Sequence, residues 1–311
     1  MTGYLFCDKL NVKGEITLDK LYINMKNVVE LTNVNKRING KDILCDVNIK
    51  LEKGKIYGLV GANGSGKSTL IKSIIGLYKT QGKVIINGYD IRKDYKNIIG
   101  KIGVIVDYVS FYEYLSAYEN LRYFAYLYEV PFERVKEVMK IVKLDMFDKK
   151  IVKHYSLGMK QRLGLAISLL RDPEILILDE PMNGLDPKGI QELRNLLLDF
   201  DDKTIIISSH LISEIEKIVD EVVFINNHKV ITKKLDNNSI RKHIKLKVNN
   251  HNVLKNISPS LCESESVYMS DEEVASLNEK LVKNNVKVYR IEEDNSLEKT
   301  LLKMMGGEND E

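Results

Sequence analysis

Cysteine is scarce: three in 311 residues, Cys7, Cys45 and Cys262, with no CxxC pair among them. The odd count and wide spacing argue against a zinc site and a disulfide framework, leaving ordinary structural thiols. Charge of one sign is also lacking. Against 47 Lys and Arg stand 44 Asp and Glu, a net charge of +3, which argues against a dedicated nucleic-acid binder. No stretch approaches the roughly 18 consecutive apolar residues of a membrane span. At the N-terminus Cys7, Asp8 and Lys9 interrupt any apolar signal core early. The expectation is a cytoplasmic protein, so that work at a membrane would require a partner to supply the membrane part. What the chain does have is 44% hydrophobic and 29% charged residues, the balance of a solvated surface around a core. Its length suits one full-sized domain plus a smaller one.

Residues 1–24 show mixed charge and no clear period, and read as an extension of undetermined role. From about 25 to 236, short β-branched runs alternate with helical stretches. Val28-Val29-Glu30-Leu31 reads as a strand, and Ile56–Val60, Ile175–Leu178 and Thr204–Ser208 as buried strands. Continuous apolar runs of that length suit parallel strands covered on both faces. Helices are expected at Ser68–Leu77 and Leu211–Val219, which makes the class α/β with a mostly parallel sheet. A helical subdomain, about 107–165, interrupts the rhythm; Glu133–Val142, following Pro131, is its clearest helix. From 237 to 311 a small accessory α+β domain is expected. Its strand has Ile244, Leu246 and Val248 on one face, and its helix is opened by a capping box at Ser270 and Glu273, with Val274, Leu277 and Leu281 on one face. A strand near Val286 and Val288 and a last helix capped by Ser296, carrying Leu301, Leu302 and Met305, complete it.

The strongest chemical signal is Gly61-Ala62-Asn63-Gly64-Ser65-Gly66-Lys67-Ser68-Thr69, which fits G-x-x-x-x-G-K-[S/T] between a strand and a helix. Glycines let the backbone wrap phosphate oxygens. The loop amides and the helix N-terminus add a fixed positive field. Lys67 can reach β- and γ-phosphates, and the Ser68 hydroxyl can ligate Mg²⁺. A chance glycine-rich turn would not bring strand, loop and helix into agreement, and a dinucleotide fingerprint has the wrong spacing. Next, Ile175–Leu178 delivers Asp179 and Glu180 to the C-terminal end of a central strand, where ligands sit in open α/β sheets. Asp179 is placed to hold Mg²⁺ and Glu180 to polarise an attacking water; the bland alternative is an acidic surface turn before Pro181. Third, Ser156-Leu157-Gly158-Met159-Lys160-Gln161-Arg162 opens a helix with Leu163, Ala166, Ile167 and Leu170 on one face. A Ser and a Gly at such a helix start make an anion site, or simply an N-cap.

The order of these motifs, followed by Asn183-Gly184-Leu185-Asp186-Pro187 and His210, resembles an ABC transporter nucleotide-binding domain over about 25–236. The resemblance implies a P-loop ATPase core hydrolysing ATP with Mg²⁺. It implies a second ATPase subunit paired head to tail, with ATP between Gly61–Thr69 of one subunit and Ser156–Met159 of the other. Asp186 would act across that interface, Glu180 and His210 would serve catalysis, and a membrane-spanning permease would hold the chain at the cytoplasmic face of the membrane. No nucleic-acid partner is implied. Ser156–Gly164, Phe111-Tyr112, Tyr118-Glu119-Asn120-Leu121 and the ending from Ser296-Leu297-Glu298 to Gly306-Gly307 look like the branch of bacitracin-resistance and lantibiotic-protection exporters.

Three departures from the family pattern stand out. Tyr155, Leu157 and Met159 replace the Leu, first Gly and Gln of the usual Leu-Ser-Gly-Gly-Gln. Asp107 stands where Gln, or Glu in the antibiotic branch, is usual, and its shorter carboxylate is the third candidate Mg²⁺ ligand. Ile38 lies where an aromatic often stacks on adenine, a contact worth about 1–3 kcal/mol in nucleic-acid complexes. Between Tyr108 and Tyr128, aromatics crowd a segment that reads as a partner-helix groove, with roughly two-thirds of its rings expected in the core. Two rival readings are a soluble ATPase acting on ribosomes or DNA and a regulatory subunit that binds ATP without turnover. The first lacks its usual second ATPase domain or coiled insertion here, and Glu180 with His210 argues against the second.

Overall fold

The computed structural model describes residues 26–107, 111–210, 212–234, 242–248, 267–269, 271–284, 286 and 288–293. Outside them lie the readings on residues 1–24, Cys7, Tyr108, Leu211, Ser270, Cys262, and the C-terminal segment from Ser296 to Gly307. Cys45 is a free, half-buried thiol.

Two hairpins build the first sheet. β1 (Asn27–Ile38) and β2 (Lys41–Glu52) run antiparallel, with Ile38 opposite Lys41. The connection is Asn39-Gly40, both at positive φ (51° and 79°), the dipeptide that two-residue hairpin turns favour. β4 (Gln81–Ile86) and β5 (Tyr89–Asp90) repeat the device with Asn87-Gly88. Pairing of β1 with β4 joins them into a four-stranded antiparallel sheet, β2-β1-β4-β5. The sequence reading had not separated this sheet from the parallel one.

The second sheet has the order β10-β9-β3-β8-β7-β6. Its members are β3 (Ile56–Val60), β6 (Ile102–Ile105), β7 (Ile175–Leu178), β8 (Thr204–Ser209), β9 (Glu221–Asn226) and β10 (Lys229–Lys234). All pairs are parallel except β9 with the edge strand β10. Side chains alternate across a strand, and the two cores divide accordingly. Ile175, Ile177 and Ile206 pack with Val29, Leu31, Leu44 and Leu51 of the antiparallel sheet. Leu176, Leu178, Ile205 and Ile207 pack on the other side with the helices that follow β6. Both faces of β7 and β8 are thus covered, which explains their unbroken apolar runs.

Those helices are α3 (Ala117–Leu127), α4 (Phe132–Ile141) and α5 (Leu157–Leu169), preceded on the chain by α1 (Lys67–Ile74) and the short α2 (Tyr95–Ile98). α4 starts one residue earlier than expected. Of eight described aromatics between 111 and 128, Tyr112, Tyr114, Tyr123 and Tyr126 are exposed and the rest only partly buried. Phe111, Tyr118, Phe124 and Tyr128 pack against the core, so half of the described rings belong to it and not the expected two-thirds. Small and medium residues, Ala117, Asn120, Leu121 and Ala125, take the buried face of α3 instead.

After α6 (Pro187–Leu198), α7 (Ile212–Ile215) is shorter than the expected Leu211–Val219. The chain must turn early to enter β9: Ile218 and Val219 remain buried, and the Asp220 carboxylate accepts from the Ile56 amide at 2.8 Å. Beyond residue 241, β11 (Lys242–Val248) lies between β12 (Val267–Met269) and β13 (Val288–Glu293) in an antiparallel sheet. α8 (Asp271–Lys283) buries Leu277 and Leu281; Val286 is buried but precedes β13. Among the described residues no helix is long and apolar enough to cross a membrane.

Candidate functional site

β3 sits between β8 and β9, so the Gly61–Thr69 loop leaves the middle of the sheet at its C-terminal edge, beside the ends of β7 and β8. Gly61 has no room for a side chain, since a Cβ there would overlap the carbonyl oxygen of Ile225 on β9. Close approach of two backbones therefore starts the loop. α1 begins on Gly66 with no side-chain cap, unlike α3, where Ser116 and Glu119 form a reciprocal capping box. The first-turn amides of α1 are accordingly left to face an anion. Ala62, Asn63 and Gly64 are exposed; Ser68 and Thr69 are half-buried. The Ser65 hydroxyl is buried with no hydrogen-bond partner, a costly arrangement that a phosphate oxygen would relieve.

Lys67 is 6% exposed. Its ammonium donates to the Gly61 carbonyl at 2.6 Å and the Ala62 carbonyl at 3.3 Å, and stands 3.7 Å from a Glu180 carboxylate oxygen. The other Glu180 oxygen lies 2.8 Å from His210 Nδ1. Glu180 adopts φ 48°, a left-handed conformation uncommon for this residue type. Its amide donates to the Ser208 hydroxyl at 2.8 Å, and that hydroxyl donates to Asp179 at 2.6 Å. One chain of polar contacts therefore links Lys67, Glu180 and His210, and continues through Ser208 to Asp179. Ser208 was missed as a site residue. Its signal was a hydroxyl at the end of an otherwise apolar buried strand.

Asp107 follows β6 at φ 57°, and its carboxylate is held by Lys72 of α1. The sequence reading had not assigned Lys72. Hydrogen bonding to Asp107 raises the Lys72 pKa. Ile38 is half-buried at the turn end of β1.

Ser156–Met159 and Asp186 form a second group. They line a cavity of about 550 Å³ whose walls include none of residues 61–69 and none of Asp179, Glu180 or His210. Ser156 caps α5, accepting from the Met159 amide at 3.3 Å. Asp186 caps α6, accepting from the Gly189 amide at 3.1 Å.

Among the described residues no cluster of three or more His, Cys, Asp or Glu is poised around a common point. The Ser68 hydroxyl and Asp179 carboxylate are hard oxygen donors. They fit Mg²⁺, which keeps several waters and takes the rest of its shell from substrate phosphates rather than from a protein cage.

A family model described as ABC transporter matches residues 44–183. The bacitracin transport ATP-binding protein BcrA of Bacillus licheniformis is 37% identical over 305 residues, 91% of this chain and 99% of the relative. The lantibiotic transport ATP-binding protein SrtF of Streptococcus pyogenes is 44% identical over 210 residues, 67% of this chain and 90% of the relative. Among solved structures, the dimeric post-hydrolysis state of the ATP-binding cassette MJ0796 bound to ADP and Pi matches with a TM-score of 0.59 at 26% identity. That match covers 67% of this chain and 98% of the other. Fold and motif order agree with these likenesses, and the chain belongs to the ABC transporter ATP-binding family.

Proposed function

We propose that this chain hydrolyses ATP to drive an exporter of peptide antibiotics or drug-like compounds, docked on a separate membrane permease at the cytoplasmic face. The observation that carries the reading is the polar chain from Lys67 through Glu180 to His210, set at the C-terminal edge of the parallel strands beside an uncapped helix start. Residues 25–236 would form the ATPase unit, with 107–165 as its helical subdomain and 237–311 as an accessory domain. Gly61–Thr69 would cradle the triphosphate, Ser68 and Asp179 would hold Mg²⁺, and Asp107 would approach it on leaving Lys72. Glu180 would polarise the attacking water while His210 and Lys67 balance γ-phosphate charge.

The second group of residues fits a shared site. Ser156–Met159 faces a cavity apart from the loop of its own chain, as expected if it contacts ATP held by a second ATPase subunit, with Asp186 beside it. ATP then favours the closed pair because both subunits bind it, and hydrolysis removes that preference. The names of BcrA and SrtF support bacitracin-like or lantibiotic-like cargo. The test is co-purification with the candidate permease, followed by ATP-dependent peptide efflux in vesicles. Efflux and hydrolysis lost together in Lys67→Ala support the reading; efflux without nucleotide, or no hydrolysis by the intact complex, overturns it.

A further inference from the structure

α5 and α6 begin side by side, and their first turns interlock. Leu157 Cδ2 fills the space that Gly184 leaves: a Cβ at Gly184 would lie only 2.9 Å from it, and Gly184 has φ 75°. In return, Leu185 Cδ2 lies over Gly158 and Gly189, 3.8 Å from a Cβ at either position. Farther along, Arg162 of α5 pairs with Glu192 of α6 and also donates to the Val142 and Lys143 carbonyls. Leu157 is nonetheless 44% exposed, so burial alone does not account for a leucine there.

The turn that Leu157 touches begins at Glu180. The Asn183 amide donates to the Glu180 carbonyl at 3.1 Å and the Leu185 amide to the Met182 carbonyl at 3.3 Å. Glu180 is itself in the left-handed region, the kind of backbone position that persists only when its surroundings enforce it. Direct packing thus runs from Leu157 to Gly184 and, through a tight turn, to the backbone that carries the Glu180 carboxylate. Where the family pattern has glycine in place of Leu157, this contact has no side chain to make it.

We infer that Leu157 is a positioning residue, coupling the element that faces the second subunit's ATP to the Glu180 turn of its own chain, so that each site registers occupancy of the other. This rests on the shared-site reading above. The effect on Glu180 is one of positioning and not of catalysis, because Leu157 reaches Glu180 only through the turn.

The experiment compares the intact protein with Leu157→Ala, the conservative Leu157→Met, and Gly184→Ala. Two readouts are used: ATP hydrolysis against ATP concentration, and amide hydrogen exchange. For Leu157→Ala the expected result is a kcat roughly tenfold lower, with the Hill coefficient falling toward about 1 and half-saturating ATP changed less than about twofold. Exchange should quicken across residues 180–186 and stay unchanged in α1. Leu157→Met, which keeps a long apolar side chain against Gly184, should change both readouts less than Leu157→Ala does. Gly184→Ala should disturb the same turn by crowding Leu157, and Leu157→Ala combined with it should be less than additive. Wild-type kinetics and unchanged exchange in Leu157→Ala overturn the inference, as does uniform loss of protection throughout the chain. If the unmodified protein hydrolyses nothing, the proposed function falls, while the exchange comparison still decides whether Leu157 controls the Glu180 turn.

Discussion

The Lys72 ammonium grips both carboxylate oxygens of Asp107, at 2.8 Å and 3.1 Å. The pair joins α1, the helix that follows the phosphate loop, to the segment leaving β6. Asp107 is 61% exposed at its side chain, so the pair contributes no more than about 1 kcal/mol. Such a contact opens readily when a divalent cation offers a stronger partner. Asp107→Asn is expected to lower Mg²⁺-dependent turnover about tenfold while ATP affinity changes little. Lys72→Met should leave turnover near normal and move stability by less than about 1 kcal/mol. Titrating Mg²⁺ at fixed ATP, with kcat and KM separated, checks both; equal loss of binding and turnover in Asp107→Asn would deny it a metal role.

Glu180→Gln keeps the shape of the side chain and a hydrogen bond toward His210, but removes the charge proposed to polarise water. Turnover should fall by a factor of about 10²–10⁴, the usual worth of a positioned general base. ATP binding through Lys67 and the loop amides should persist, giving a long-lived ATP-bound pair of subunits. Size-exclusion chromatography with and without ATP reads this directly. Undiminished turnover would remove Glu180 from the reaction.

Much of this site was legible before any coordinates, because each part is local. The spacing of Gly61 to Thr69 and the run Ile175 to Glu180 are signals contained within ten residues, and periodicity places them on strand ends. Ser156 was readable as a helix start for the same reason. What escaped was long-range. Nothing near Lys72 in the chain announces that Asp107 lies beside it, and Ser208 acquires its role only because β8 pairs with β7. The antiparallel sheet was hidden likewise: its hairpin turns Asn39-Gly40 and Asn87-Gly88 are local, but the pairing of β1 with β4 spans the phosphate loop. Tyr112, Tyr114, Tyr123 and Tyr126 misled because aromatic content suggests burial, whereas close helix packing in α3 favours small residues.

Acid should weaken the lower end of the parallel sheet at one charge cluster. Lys55, just ahead of β3, bonds Glu52 at 2.6 Å and Glu221 at 2.7 Å, and Lys26 takes the other Glu52 oxygen at 2.7 Å. These cations lower the Glu52 pKa from 4.5 to about 2. A carboxyl whose folded pKa is depressed stabilises the fold above its unfolded pKa, and loses that contribution as pH falls toward the folded value. The difference in stability between the protein and Glu52→Gln should therefore be constant above about pH 5 and shrink between pH 4.5 and 2, followed by urea midpoints. Lys55→Met acts differently. It leaves Glu221, whose side chain is only 7% exposed, with the Lys234 ammonium 4.0 Å away as its remaining ion-pair partner among the described residues, and should cost about 2 kcal/mol at neutral pH.

Ser208 gives the sharpest separation between binding and turnover. Its hydroxyl is fully buried; it accepts from the Glu180 amide and donates to Asp179. Ser208→Ala leaves a backbone donor and a carboxylate oxygen without their partner in a part-buried site. Each such loss costs about 1–3 kcal/mol, so a net destabilisation of about 2 kcal/mol is expected in denaturant unfolding. The functional consequence follows from geometry. The Glu180 amide is the tie that holds a left-handed backbone at the end of β7, and without it the carboxylate loses its fixed aim toward His210. Lys67 and the 61–69 loop, the proposed triphosphate cradle, are untouched. Hydrolysis should therefore fall about tenfold while ATP affinity stays within about twofold. Parallel loss of affinity would mean that Ser208 serves the fold of the whole sheet edge rather than the aim of Glu180.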